Sequence, residues 1–118
     1  MLYNQDKLFK LWKYDLKQKN GEHLINKIFS AVENEEVRTW IVRKDKDNNK
    51  YLTHKPEQWC DKVLFALNAT IEDVRISINW WKNYGEPDEE TKGYCIGRLT
   101  ELLLVNFKDN YTAFEIIK

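Results

Sequence analysis

The sequence predicts one helix-rich α+β domain spanning residues 1–118, with about five helices and a small antiparallel β-hairpin or sheet. Three observations carry this. Apolar residues recur at helical spacing in several separate stretches. One central stretch, Arg38-Thr-Trp-Ile-Val-Arg43, changes to β-branched and aromatic residues and is followed by the turn-forming pair Asn48-Asn49. With 118 residues, two prolines and four glycines, the chain is long enough for one hydrophobic core and poor in the residues that break structure.

In order, residues 5–19 present Leu8, Leu11, Trp12 and Leu16 as an apolar stripe, with Lys10, Lys13 and Lys17 on the other side. Asn20-Gly21 is a helix stop. Residues 22–34 form a second amphipathic pattern through Leu24, Ile25, Ile28, Phe29 and Val32, and the short join makes the two antiparallel neighbours. The hairpin follows, with strands near 38–43 and 51–53 and a charged tip at 44–50. Pro56 suits a helix N-terminus, and 57–67 reads as a third helix burying Trp59, Val63, Leu64 and Leu67.

Residues 70–85 read as the fourth helix. Thr70 is a good cap, Glu72 and Asp73 suit the positive end of the dipole, and Gly85 stops it. At 100° per residue Ile71, Val74, Ile78 and Trp81 fall on one stripe, while Ile76, Trp80 and Tyr84 fall roughly opposite. A helix apolar on two sides is either buried on both or keeps one face for a partner. Pro87 and the acids around it start a fifth helix, reaching about Phe107 through Leu99, Leu102, Leu103 and Asn106. Tyr111 to Ile117 favours a strand by its β-branched and aromatic content, with a terminal helix as the alternative.

The span 50–85 contains Lys50-Tyr-Leu-Thr-His-Lys-Pro-Glu-Gln-Trp59, then a turn and Asp73-Val-Arg-Ile-Ser-Ile-Asn-Trp-Trp-Lys-Asn-Tyr-Gly85. It resembles the winged helix-turn-helix modules of phage and plasmid replication initiators. There a strand ending in Thr leads into a helix bearing Glu and Trp. A second helix follows with the pattern Thr/Ser-x-x-x-x-Ala-Ile-x-x-Leu-x-x-x-Gly. Ser77, Ile78, Trp81 and Gly85 stand at the Ala, Ile, Leu and Gly places, and Asp73 at the Thr place. The resemblance implies a fold winged-helix-like in part, and a DNA-binding role in replication or transcription. Arg43, Lys44, Lys46, Arg75, Asn79 and Lys82 would then meet nucleic acid.

Charge points elsewhere. Nineteen basic and nineteen acidic residues give zero net charge, which disfavours affinity built on many phosphate contacts. Glu72 and Asp73 would stand where a reading helix touches bases. The chain has no Gly-rich phosphate loop, no nucleophile elbow and no metal-ligand spacing, so no enzyme, cofactor or metal is expected. Cys60 and Cys95 are expected as reduced thiols in a cytoplasmic protein, with no membrane association. Sixteen aromatic residues (five Trp, six Tyr, five Phe) are many for this length and are the side chains that dominate binding hot spots. The favoured reading is therefore a small non-enzymatic protein-binding module, an inhibitor or adaptor of the immunity or phage and mobile-element type. Its patch is expected at Asp73, Ile76, Trp80 and Tyr84.

Overall fold

A computed structural model of the chain describes the backbone at residues 2–13, 22–69 and 73–116, with side chains at 22–69 and 74–109. In chain order the elements are β1 (Leu2–Lys13), α1 (Glu22–Glu33), β2 (Trp40–Lys44), β3 (Lys50–His54), β4 (Leu64–Ala69), β5 (Asp73–Trp81), α2 (Glu89–Asn106), a 3₁₀ turn (Lys108–Asn110) and β6 (Tyr111–Ile116). The class is α+β, but the expectation of about five helices is wrong. Two α-helices are present among the described residues. Strands β2 to β5 form a four-strand antiparallel meander, and β1 and β6 extend it to the order β2-β3-β4-β5-β1-β6.

Strand β5 shows why the helical reading fails. Val74, Ile76, Ile78 and Trp80 alternate along it and are all buried. Three of these four are β-branched, which suits a pleated strand and restricts a helix. The register puts Phe65, Leu67 and Ala69 of β4 opposite Ile78, Ile76 and Val74, and Phe9 and Leu11 of β1 opposite Ile76 and Val74. Apolar pairs thus meet across the β4 seam on one face, and the register aligns Phe9 and Leu11 with the same positions from the β1 side. The second helix of the winged-helix resemblance therefore falls on a strand. Gly85, expected to stop a helix, instead sits at φ +80 in the turn after β5, where its amide donates to Trp81 O at 3.2 Å.

The other misread helices have local causes. Residues 2–13 form a strand with register irregularities between Asn4 and Phe9; Lys17 lies outside the described residues. Pro56 does begin a turn: Trp59 N and Cys60 N both donate to Pro56 O at 2.9 Å. That turn does not propagate. Asp61 adopts φ +65 and its amide donates to Thr53 Oγ1 at 2.9 Å, and the chain enters β4 at Leu64.

Both true helices cover one face of the sheet. Leu24, Ile25, Ile28, Phe29 and Val32 of α1 join Cys95, Leu99, Leu102 and Leu103 of α2 in one cluster with Trp40, Leu52, Phe65, Leu67, Val74, Ile76, Ile78 and Trp80. Each such buried side chain contributes roughly 1.5–3 kcal/mol relative to exposure. Asp88 caps α2 by accepting from Thr91 N at 2.7 Å. Lys92 is buried beneath that first turn, 2.6 Å from Glu86 Oε2 and 5.6 Å from the Trp80 ring centre. The pair ties the loop after β5 to the helix.

The opposite face carries polar groups. Asn79 Nδ2 donates to Ser77 O at 3.3 Å and, more weakly, to Leu64 O at 3.4 Å. Tyr51 meets Trp81 edge-on at 6.4 Å. Both cysteines are free, and no helix among the described residues is long and apolar enough to cross a membrane.

An aromatic seam joins α2 to the sheet. His54 lies 4.9 Å from Trp40 and 6.1 Å from Tyr94, and Tyr94 stacks on Trp59 at 4.1 Å. Burial, helped by the charge of Arg98, pushes the His54 imidazole below its usual value. His54 Nδ1 is buried with no hydrogen-bond partner among the described residues, and a hydrogen bond to the Thr39 backbone offsets part of the downward shift.

Two outcomes follow from this packing. Trp80→Ala should cost about 3–5 kcal/mol, and Trp81→Ala about half of that or less, because Trp80 is the core tryptophan. Urea unfolding of the two variants checks the order, and a greater loss from Trp81→Ala would reverse the assigned faces. The unfolded chain takes up the His54 proton before the native state does. Native stability should therefore fall as pH drops below about 6.5 and level off below the depressed native value. Unfolding midpoints between about pH 7 and 5.5 should show this slope in wild type and lose it in His54→Phe; a flat wild-type profile would contradict it.

Candidate functional site

The local sequence after α1 sets up a groove. The helix closes with Glu36 N donating to Ala31 O at 2.9 Å and Glu35 N donating to Val32 O at 3.1 Å. This closure places its reversing residue, Glu35, at φ 61. The chain turns back through Val37 and Arg38 and starts β2 beside the helix it has just left. At the other end of β2, Asp45 organises the hairpin: Oδ1 accepts from Asp47 N at 2.8 Å and Asn49 N at 3.0 Å, with Asn48 at φ 65. The expected Asn48-Asn49 turn is thus present.

Strand β2 is an edge of the sheet. Among the described residues its one strand partner is β3, in the register Trp40↔His54, Ile41↔Thr53, Val42↔Leu52, Arg43↔Tyr51 and Lys44↔Lys50. Lys55 N donates to Thr39 O at 2.7 Å, and Asp45 N to Asn49 O at 3.1 Å. Antiparallel pairs alternate between bonded and non-bonded, so Thr39, Ile41, Arg43 and Asp45 bond inward. The N–H and C=O groups of Trp40, Val42 and Lys44 point away from the sheet. Among the described residues, no backbone group bonds them.

A groove of about 940 Å³ runs along this edge, between β2 and the C-terminal end of α1. Val32, Val37, Trp40, Ile41 and Val42 supply its apolar lining, and Arg38, Arg43, Lys44, Lys55, Glu33 and Glu35 its charges. Two of these six are already held. Glu33 accepts from Lys50 Nζ at 3.0 Å, and Arg43 holds Asp61 through Nε at 2.9 Å and through its terminal nitrogen at 3.2 Å. Arg38, Lys44 and Lys55 are exposed and their side chains have no partner among the described residues. Three uncommitted cations therefore face one uncommitted carboxylate, Glu35.

A smaller hollow of about 220 Å³ adjoins the groove, sharing Val37 and Trp40 with it and adding Thr39, Glu101, Leu102, Val105 and Asn106. Val105 is 69% exposed, so the last turn of α2 leaves apolar surface uncovered beside the start of β2. These linings bring backbone hydrogen-bonding groups, cations and apolar side chains side by side. Among the described residues no three metal-ligating side chains cluster.

The expected patch does not assemble. Ile76 is fully buried and Trp80 is 8% exposed, both in the core beneath the helices. Tyr84 is exposed in the turn beyond β5. The side chain of Asp73 lies outside the described residues. The residues assigned to nucleic acid scatter likewise. Asn79 is buried in hydrogen bonds on the face away from the helices. Arg75 lies half-buried on that same face, paired in register with Asn68. Lys46 is at the hairpin tip and Lys82 in the turn after β5. Only Arg43 and Lys44 come together, at the β2 groove. Sequence reasoning missed Val37, Arg38, Val42, Lys55 and Val105. The strand over 38–43 was visible, but its place at a sheet edge depends on the whole strand order. No family model matches this chain, and neither curated proteins nor solved structures provide a match.

Proposed function

We propose that this chain is a small non-enzymatic protein-binding module, acting as an inhibitor or adaptor, and that it holds its partner along the free edge of β2. One observation carries the reading. Three outward-facing residues, Trp40, Val42 and Lys44, present backbone groups that nothing among the described residues bonds, beside a groove that is part apolar and part cationic. An open edge of this kind is a template for another chain. Proteins usually blunt such edges; this one is short and ends in Lys44, and the groove lies along it. Duplex DNA is the weaker reading: the side chains that would contact it lie on different faces, and the net charge is zero.

The test uses Val42→Pro. The Val42 N–H faces out of the sheet, so proline removes no ladder bond, and edge strands tolerate it. Lys44→Glu serves as a second variant. Wild type and both variants, checked for unchanged near-UV circular dichroism, are immobilised and exposed to nuclease-treated lysate of the source cell. A protein retained by wild type and lost on Val42→Pro is the expected result. Equal retention of the same proteins by all three would overturn the surface. Duplex DNA binding whose affinity falls steeply with salt would favour the nucleic-acid reading.

A further inference from the structure

We infer that the partner presents an extended, acidic segment that adds to β2 as a further strand, with an apolar side chain seated against Val105. This rests on the protein-binding reading above and specifies the chemistry of the occupant. Backbone geometry is the first reason. The outward groups of Trp40, Val42 and Lys44 repeat every second residue, a spacing that only an extended chain can match bond for bond. A docked helix satisfies its backbone internally and would leave them unpaired. Five residues of β2 span about 17 Å, so a segment of about five residues fills the edge.

Charge is the second reason. Arg38, Lys44 and Lys55 are uncommitted, whereas Arg43 is held by Asp61 and Glu33 by Lys50. The groove is thus complementary to carboxylates. The same cations argue against a second copy of this chain. A two-fold pairing of β2 with itself about Val42 would bring six uncommitted cations to one seam, and lysine at an edge guards against that pairing. The third reason is the hollow that shares Val37 and Trp40 with the groove. The half-open wall at Val105 gives an apolar side chain on the incoming strand somewhere to rest.

Two capped hexapeptides test this, one that sets two glutamates and a valine on the same strand face and one with lysine in place of each glutamate. Each is titrated into the ¹⁵N-labelled full chain. The glutamate peptide should bind saturably, moving the amide signals of Trp40, Val42 and Lys44 more than those of Ile41 and Arg43, and perturbing Val105. The lysine peptide should bind about tenfold more weakly or not at all. The double variant Arg38→Glu with Lys44→Glu should reverse that order, and Val42→Pro should abolish the response. Equal affinity for the two peptides, or no binding of either, overturns the acidic-strand inference. The protein-binding surface survives that outcome if lysate capture still depends on Val42, and falls with it if capture is insensitive to Val42→Pro. A concentration-dependent dimer of the free chain lost on Val42→Pro would instead make a second copy the occupant.

Discussion

The alternation of Val74, Ile76, Ile78 and Trp80 along β5 is the constraint on which the rest of the molecule depends. These side chains are buried on one face of a strand paired on both sides, by β4 and by β1. A strand with one apolar face requires cover on that face, and α1 and α2 both supply it there. A one-residue slip at either seam would turn every one of these side chains toward the polar face, so the register is strongly specified. Lys92 is held in the same packing, between Trp80 and Glu86, which links the strand to the start of α2.

The open edge is a consequence of this layout. The chain leaves β1 near the far side of the sheet, crosses by α1, and starts the meander at β2. The meander runs inward from there to β5, and α2 returns the chain to β6 at the opposite edge. Among the described residues no element lies outside β2 in the sheet, and the closing turn of α1 at Glu35 forms a wall rather than a cover. Short length and exposed charge keep such an edge from pairing indiscriminately. Selective pairing then rests on what the incoming chain carries opposite Arg38, Lys44 and Lys55.

Part of this was legible in the sequence, and the failures have one physical origin. Helix α1 has its five expected buried residues, the hairpin has its Asn48 turn, α2 starts after Pro87 with Asp88 as cap, and the last element is a strand. Strands β1, β4 and β5 were read as helices because their apolar residues satisfy both periods. Val74 and Ile78 fit a 100° stripe with Trp81, and equally a 180° stripe with Ile76 and Trp80. The β-branched content of β5 was the signal that distinguishes them, and capping residues at Thr70 and Gly85 outweighed it. The site was less legible than the fold. Arg43 and Lys44 were singled out for their charge, but Arg38, Lys55 and Val105 join them only through strand order and the end of α2, which no local pattern encodes.

Amide hydrogen exchange along β2 tests the central claim, the open edge, most directly. If Trp40, Val42 and Lys44 face outward, their amides exchange rapidly while those of Ile41 and Arg43, bonded to β3, are protected. The account predicts this alternation in the isolated full chain under native conditions. Uniform protection across all five residues would mean that something covers the edge, and would contradict it.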